Sequence, residues 1–141
     1  MKPAVHPLSA FPWKTDHDLR YGDLDTNGHV NNGAFNSIME TSRTLLFREE
    51  AGSEWSTSRF VLARYTIDFI GELTWPGSVG AGLGITRIGN SSITILQALF
   101  SEESCAAIAE TVIVATDPAT RRPTRLDRSL RAALGRWAMP V

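Results

Sequence analysis

The fold is indicated by one stretch of the chain, which runs from Asp23 to Glu50 and reads DLDTNGHVNNGAFNSIMETSRTLLFREE. Its first ten residues are rich in Asp, Asn and Gly, which favour turns. From Ala34 to Glu50 the apolar residues fall at helical spacing, and neither Pro nor Gly interrupts them. Asn31 or Asn32 can cap the start of such a helix, and Gly52 suits its end. The stretch therefore predicts a polar turn followed by a long helix.

Alternating residues on both sides of this stretch predict β-strands. After an irregular arm over residues 1–12, residues 13–21 favour a short strand that ends near Tyr21. Beyond the helix, a period of two places one set of residues on one face of a strand (Val61, Ala63, Tyr65, Ile67, Phe69) and a second set on the other (Leu62, Arg64, Thr66, Asp68). Further strands are predicted over residues 78–88, 91–101 and 106–116, with turns at Pro76-Gly77 and Gly89-Asn90 and a short helix over 127–137. The strand over 106–116 is apolar throughout, which is typical of burial on both faces.

The order of these elements predicts an α+β fold in a single domain over residues 13–141. One strand, one long helix and four further strands would form an antiparallel sheet with the helix on one face. A single helix cannot cover such a sheet, and the apolar surface that remains needs a partner. We therefore expect the chain to self-associate.

Composition sets the class of protein. Of the 141 residues, 43% are hydrophobic and 21% are charged, and the formal net charge of -1 gives no basic surplus for nucleic acid. Cys105 is the single cysteine, so no intramolecular disulfide can form and a reducing compartment fits. The first twelve residues lack the apolar segment of a signal peptide, and no stretch has the apolar length of a membrane span. We expect a cytoplasmic protein without nucleic-acid or membrane partners.

The polar run at the start of the stretch admits a calcium interpretation. Asp23, Asp25 and Asn27 occupy the first, third and fifth places of an EF-hand loop, and Gly28 occupies the sixth. The twelfth place, which needs a bidentate Glu, falls on Ala34. The segment before the run has an extended rather than a helical pattern. We therefore predict no metal site here.

Catalysis and a simple capped turn are the two other interpretations of this run. A helix that starts near Asn32 presents unpaired backbone N–H groups, which can hold a carbonyl oxygen that gains negative charge. Asp25, Asn27 and His29 lie just upstream and supply a carboxylate, an amide and an imidazole. Acyl transfer needs such a set. Asp, Asn and Gly also occur in turns for local hydrogen bonding alone. The residue types by themselves leave both interpretations open.

The motif resembles a known family. The run Asp23-Leu-Asp-Thr-Asn-Gly-His-Val-Asn-Asn32, followed by Glu40 and Arg43, is similar to the 4-hydroxybenzoyl-CoA thioesterase-like family of hotdog proteins. Plant acyl-ACP thioesterases share its Asp-x-Asn-x-His-Val-Asn-Asn arrangement. Further segments also resemble the family, namely Arg64-Tyr-Thr-Ile-Asp68-Phe, Pro76-Gly-Ser-Val79 and Asp117-Pro-Ala-Thr-Arg-Arg-Pro123. The resemblance thus covers nearly the whole chain.

This resemblance implies the hotdog fold, in which a curved antiparallel sheet wraps around one long central helix. It also implies a homodimer whose sheets join edge to edge, often paired again into a homotetramer, with active sites at the dimer interface. The implied activity is hydrolysis of an acyl thioester of coenzyme A or of acyl carrier protein. No cofactor is expected, because coenzyme A would be part of the substrate.

The resemblance assigns roles to residues of the polar run. Asp25 would attack the thioester carbonyl or activate water for that attack, and the backbone N–H of Asn32 would polarise the carbonyl. Asn27 and His29 match residues that orient substrate or assist proton transfer, while Asp23 is expected to shape the turn. Phe35 stands where many members have Tyr, so a phenolic hydroxyl is lacking there.

Candidate binding residues lie further along the chain. Three arginines could contact the phosphates of coenzyme A, although short charge clusters are often only solvated links (Arg121, Arg122, Arg125). Three residues could line an acyl pocket, although such residues are often plain core (Phe35, Met39, Tyr65). Glu40 could serve as a second acid or as an arginine partner. Cys105 is expected to be a core residue, because it begins an apolar strand.

Two alternative functions remain open at this point. A hotdog enoyl-CoA hydratase uses an acid and a His at a different spacing, which the His-Val-Asn-Asn segment fits poorly. A non-catalytic acyl-CoA-binding module would keep the fold without turnover. The presence of Asp25 argues against the second alternative.

Overall fold

A computed structural model describes residues 4–51 and 60–140. The elements are β1 (Trp13–Asp18), α1 (Asn32–Ala51), β2 (Phe60–Phe69), β3 (Ser78–Ile88), β4 (Ser92–Ser101), β5 (Ser104–Ala115) and α2 (Arg128–Gly135), with 3-10 turns at Leu8–Ala10 and Tyr21–Asp23. This order is the one the sequence predicts. The predicted helix end at Gly52 lies outside the described residues. Neither helix in the described ranges is long and apolar enough to cross a membrane.

The five strands form one antiparallel sheet in the order β1-β3-β4-β5-β2. The helix α1 packs on one face and buries apolar side chains such as Phe35, Met39 and Leu46 against the strands. This arrangement confirms the predicted hotdog fold. The hairpin at Gly89-Asn90 is also confirmed, because β3 and β4 pair directly across it and Gly89 N–H donates to the Ser92 carbonyl at 2.7 Å.

Part of the opposite face of the sheet is covered by the N-terminal arm and the C-terminal segment. A Cβ atom added at Gly82 would lie 2.6 Å from the ring of Phe11, and one added at Gly84 would lie 2.5 Å from Met139. Phe11 and Met139 are buried there with residues of β4 and β5. The missing side chains of two β3 glycines therefore let the N-terminal arm and the C-terminal segment pack directly on the strand.

The face pattern predicted for β2 is wrong at its beginning. The pairing with β5 shifts between Leu62 and Arg64, so that Ala63 is the extra residue of a β-bulge. Leu62 pairs with Ile113, and Val61 pairs with Val114. The bulge reverses the alternation, because one added residue moves every side chain before it to the other face. Phe60 and Leu62, rather than Val61 and Ala63, therefore share the helix-facing side with Tyr65, Ile67 and Phe69.

Element ends differ from prediction by a few residues. The strand β1 stops at Asp18 rather than near Tyr21, because Leu19 N–H donates to the Gly77 carbonyl at 2.9 Å and the chain then turns. The last strand begins two residues earlier than predicted, at Ser104, and α2 is shorter than predicted at both ends. After Ala109, the residues of β5 alternate between buried and partly exposed, so burial on both faces holds only for its first half.

Candidate active site

Asp23 fixes the start of the polar run. Its carboxylate accepts a hydrogen bond from Arg20 Nη2 at 2.9 Å and another from the Arg20 backbone N–H at 2.8 Å. Asp23 is only 7% exposed, whereas the Arg20 side chain is 79% exposed. These contacts close the turn over Tyr21–Asp23, so Asp23 shapes the approach to the motif.

We expect the link between Asp23 and Arg20 to make stability depend on pH at the acid end. The side-chain and backbone hydrogen bonds from Arg20 hold the pKa of Asp23 below its ordinary value of 3.8. A carboxylate with a lowered folded-state pKa stabilises the fold above its unfolded-state pKa, and this contribution is lost as pH falls through the folded-state value. At pH 7, Asp23→Ala should reduce the free energy of unfolding by about 1 kcal/mol, because it removes the hydrogen bonds from Arg20. The loss is no larger because solvent screens the charge of the exposed Arg20 side chain.

Urea unfolding at pH 7 and at pH values below 4 measures this difference. The gap between wild type and Asp23→Ala should shrink in acid. The matched control is Asp18→Ala, which removes an exposed carboxylate at the end of β1. A gap that stays constant down to the lowest pH would show that the Asp23 charge contributes nothing.

Asp25 closes a loop on itself. Its backbone N–H donates to the His29 carbonyl at 2.7 Å, and its Oδ1 accepts from the N–H groups of Asn27 at 2.8 Å and His29 at 3.0 Å. Gly28 has a φ of 78°, which glycine adopts without strain. Oδ2 makes no hydrogen bond within residues 4–51 and 60–140. One carboxylate oxygen therefore holds the loop while the other is available for chemistry.

Asn31 caps α1. Its Oδ1 accepts from the Ala34 N–H at 2.8 Å, and its Nδ2 donates to the Asp23 carbonyl at 2.9 Å. Of the two caps that the sequence allows, Asn31 is therefore the one used. The N–H groups of Asn32 and Gly33 lie in the first turn, where no intrahelical acceptor exists.

These residues border a surface cleft of about 200 Å³. It is lined from the polar run and α1 by Asp25, His29, Val30, Asn32 and Phe35, and from the end of β2 and the link after it by Phe69, Gly71, Glu72 and Leu73. A carboxylate, an imidazole-bearing residue and a helix N-terminus thus meet at one cavity. That set can accept a proton and stabilise an oxyanion.

The candidate residues are not all brought together. The cleft contains Asp25, His29, Asn32 and Phe35, while Asn27 lies outside its lining and contacts Asp25 through its backbone. His29 also contacts Asp25 through its backbone N–H. Met39 is fully buried and belongs to the core. Tyr65 lies on β2 outside the lining of the cleft, and its hydroxyl donates to Asn36 Oδ1 at 2.8 Å.

The three candidate arginines lie at the other end of the sheet. Arg121, Arg122 and Arg125 are exposed on the link that follows β5, close to Ala115. The Asp25 cleft lies near Phe69, whose partner on β5 is Ala107. The eight residue-to-residue steps from Ala107 to Ala115 span about 26 Å of strand. Within one chain, the arginines and the cleft are therefore far apart.

Two features near the helix are not predicted from the sequence. Glu72 brings a second carboxylate to the rim of the cleft from the link after β2. Gln97 is fully buried in β4 and binds α1 through its amide, with Nε2 donating to the Met39 carbonyl at 2.8 Å. Gln97 is a polar residue inside the apolar run Thr94-Ile-Leu-Gln-Ala-Leu-Phe100, and that position indicates a buried side chain that needs a hydrogen-bond partner.

Cys105 does not take part in the cleft. It is partly buried against the hydrophobic cluster that contains Phe11 and Met139, and its Sγ lies 3.4 Å from the Ala107 carbonyl. Burial raises the pKa of its thiol, which disfavours the reactive thiolate. A packing role fits these observations.

The chain is similar to a known protein family and to solved structures. The family model of the thioesterase-like superfamily matches residues 19–134, so the chain belongs to this superfamily. A comparison with curated proteins finds no match.

Solved structures give the same fold. A thioesterase of Thermus thermophilus, crystallised with coenzyme A and zinc, is 29% identical, with a TM-score of 0.81 over 89% of this chain and 92% of that one. A predicted thioesterase of Bacillus stearothermophilus is 25% identical, with a TM-score of 0.84 over 92% of this chain and 98% of that one. A protein of Pseudomonas aeruginosa strain PAO1 is 24% identical, with a TM-score of 0.84 over 94% of this chain and 96% of that one.

Proposed function

We propose that this protein hydrolyses an acyl thioester to a free acid and a thiol, with Asp25 as the acting carboxylate. The observation that carries this proposal is the meeting of Asp25 and the N-terminus of α1 at one cleft, with Oδ2 of Asp25 not engaged in the loop. A thioester carbonyl placed there would lie between a nucleophile or base and donors for its developing negative charge.

Each residue of the cleft has a distinct part in this proposal. The N–H of Asn32 polarises the thioester carbonyl. Asp25 then attacks the carbonyl carbon to give an acyl-enzyme anhydride that water opens, or it takes a proton from water as the water attacks. Either route expels the thiolate, which is protonated as it leaves. His29 lines the same cleft and assists proton transfer, while Asn27 supports the Asp25 loop through its backbone.

Coenzyme A is the thiol that we favour. The Thermus thermophilus thioesterase contains coenzyme A in its crystal structure, and it is among the more similar structures. The acyl group would lie along the seam between α1 and β2, beside Phe35 and Tyr65. Acyl carrier protein remains the other substrate class. In one chain the arginines of the 121–125 link cannot reach this cleft, so phosphate contacts from them would require a second subunit.

We propose that this second subunit pairs along β2. The strand β2 is at the edge of the sheet, and no described strand lies on its outer side. Val61 is 48% exposed and Leu62 is 55% exposed, with Phe69 and Ile70 exposed to similar degrees. An exposed apolar edge strand is a template for pairing. Antiparallel pairing of two β2 strands would bring the 121–125 link of one subunit toward the Asp25 cleft of the other.

Thiol release from a panel of acyl-CoA and acyl-carrier-protein thioesters tests the proposed function. We expect hydrolysis of at least one chain length or aromatic acyl group at a rate well above that of the thioester alone. Binding of an acyl-CoA in calorimetry without turnover would favour the non-catalytic module, and addition of water to an enoyl-CoA would favour the hydratase.

A further inference from the structure

A second polar position lies on the seam between α1 and β2, at Arg43. Its Nη1 donates to Gln97 Oε1 at 3.1 Å, and its guanidinium carbon lies 5.6 Å from the centroid of the Tyr65 ring. No carboxylate lies within 4.0 Å of it among the described residues. Burial lowers the pKa of Arg43, and this outweighs the opposing influences of Tyr65 and Glu40. A partly buried cation without a carboxylate partner is costly, so its retention calls for a reason.

Gln97 holds Arg43 in this place. The Gln97 side chain is fully buried, and its Nε2 donates to the Met39 carbonyl at 2.8 Å and to Ser42 Oγ at 3.1 Å. Ser42 Oγ in turn donates to the Ile38 carbonyl at 2.7 Å. These contacts fix the amide so that Oε1 faces the guanidinium. The network therefore orients Arg43 at the seam instead of leaving it to extend into solvent.

Arg43 borders a cleft that is largely apolar. This cleft of about 200 Å³ is lined by Glu40, Arg43, Thr44, Phe47, Phe60, Val61, Leu62 and Ile113, of which Val61 and Leu62 lie on the edge strand that is proposed above to pair with a second subunit. Five of these eight residues are hydrophobic, and Arg43 is the one cation among them. A cleft of this kind suits a ligand with an apolar stem and an anionic end. The carboxylate of Glu40, which is exposed at the rim of the cleft, repels an anionic ligand. The affinity of the cleft for an anion is therefore set by attraction to Arg43 and repulsion from Glu40.

Thr111 is a buried polar residue that pairs with Tyr65 across the sheet. It is fully buried, and its Oγ1 has no hydrogen-bond partner in the described part of the chain. Thr111 pairs with Tyr65 across β2 and β5, so its side chain shares the helix-facing side of the sheet with the ring under Arg43. Because Thr111 does not line the Arg43 cleft, its hydroxyl is not a contact for a ligand there.

This cleft and the Asp25 cleft both lie between α1 and β2, at different positions along the two elements. The rings of Phe35 and Phe69 lie 5.2 Å apart at the Asp25 end, and the bond from Tyr65 to Asn36 follows along the seam. From Asn32 to Arg43 the helix rises about 16 Å. An extended acyl group that starts at the Asp25 cleft would therefore point along the seam toward a cation.

We propose that Arg43 binds a carboxylate at the far end of the acyl group, so that the preferred substrates are thioesters of dicarboxylic acids. The thioester half of this statement rests on the function proposed above, whereas the binding of a carboxylate at Arg43 does not. Arg43 would act as a specificity residue, with Gln97 as its positioning residue.

Matched substrates test the specificity. We would compare octanoyl-CoA with the coenzyme A monothioester of octanedioic acid, which differs by a terminal carboxylate. In wild type, kcat/KM should favour the carboxylated substrate, and in Arg43→Met the ratio of the two values should fall by about 10- to 100-fold. Arg43→Lys should restore part of the preference, and Glu40→Gln should increase it. The control Arg48→Met removes an exposed arginine of the same helix and should leave the ratio unchanged.

A binding measurement separates this proposal from the proposed function. Calorimetry with octanoate and with octanamide needs no turnover. Octanoate should bind wild type more tightly than octanamide, and Arg43→Met should weaken the binding of octanoate selectively. Equal binding of the two ligands, or octanoate binding that survives in Arg43→Met, would overturn the Arg43 site even if thioesters are hydrolysed. Selective octanoate binding without hydrolysis of any thioester would leave the site standing and remove the proposed function.

Discussion

Asp25→Asn should lower kcat for the best thioester by about a thousandfold and leave the fold intact. Oδ1 of Asp25 accepts hydrogen bonds from the backbone N–H groups of Asn27 and His29, and the amide oxygen of an asparagine can accept the same two bonds. The loop therefore keeps its shape. The amide can neither attack a carbonyl nor take a proton from water, so the loss would be chemical. Thiol release and urea unfolding, measured on the same preparations, check both halves of this expectation.

The control for this experiment is Asp25→Ala. Alanine removes the two loop hydrogen bonds as well as the acid, so it should also reduce the free energy of unfolding by about 1–2 kcal/mol. The comparison separates the catalytic role of Asp25 from its role as a turn cap. If Asp25→Asn keeps most of the activity while Asp25→Ala loses both stability and activity, then Asp25 is a structural residue and the proposed mechanism is wrong.

The elements that the sequence predicts best are those set by local periodicity. The helix α1 has no internal breaker after Gly33, and its cap at Asn31 follows from a side chain three residues before the Ala34 N–H. The β3–β4 hairpin follows from Gly89-Asn90 in the same way. In each case the deciding contacts are only a few residues apart, so the linear sequence contains them.

The features that the sequence did not predict depend on distant contacts. The bulge at Ala63 is defined by the pairing of β2 with β5. The alternation of residues along β2 does not indicate where an extra residue is inserted. Gln97 meets Met39 across 58 positions of sequence. A single polar residue in an apolar strand indicates that a partner exists, but not which one.

The candidate site shows the same division. Asp25, His29 and Asn32 lie within eight residues, and the turn brings them to one cleft. The 121–125 link was grouped with them on chemical grounds alone, because arginine suits phosphate. The 121–125 link lies at the opposite end of the sheet because β5 runs antiparallel to β2. No local sequence pattern predicts this strand pairing. That link can serve the cleft only across an interface between two chains.

The pairing along β2 gives the second large effect that we expect. Val61 is half-exposed in the single chain, so Val61→Arg should change the stability of an isolated subunit by less than about 0.5 kcal/mol. In a symmetric dimer joined at β2, each substitution appears twice at the interface. Burial of an unpaired cation costs several kcal/mol, so the dimer dissociation constant should rise by more than about a thousandfold.

Analytical ultracentrifugation at micromolar concentration checks this expectation, with wild type as a dimer or larger assembly and Val61→Arg as a monomer. The matched control is Val5→Arg, which places the same charge on an exposed valine of the N-terminal arm, away from β2. Thioesterase activity should fall together with the dimer, because the 121–125 link reaches the Asp25 cleft only from a second subunit. A monomeric wild type would rule out the dimer, and a Val61→Arg protein that stays dimeric would place the interface elsewhere. Either result would leave the cleft without its phosphate contacts.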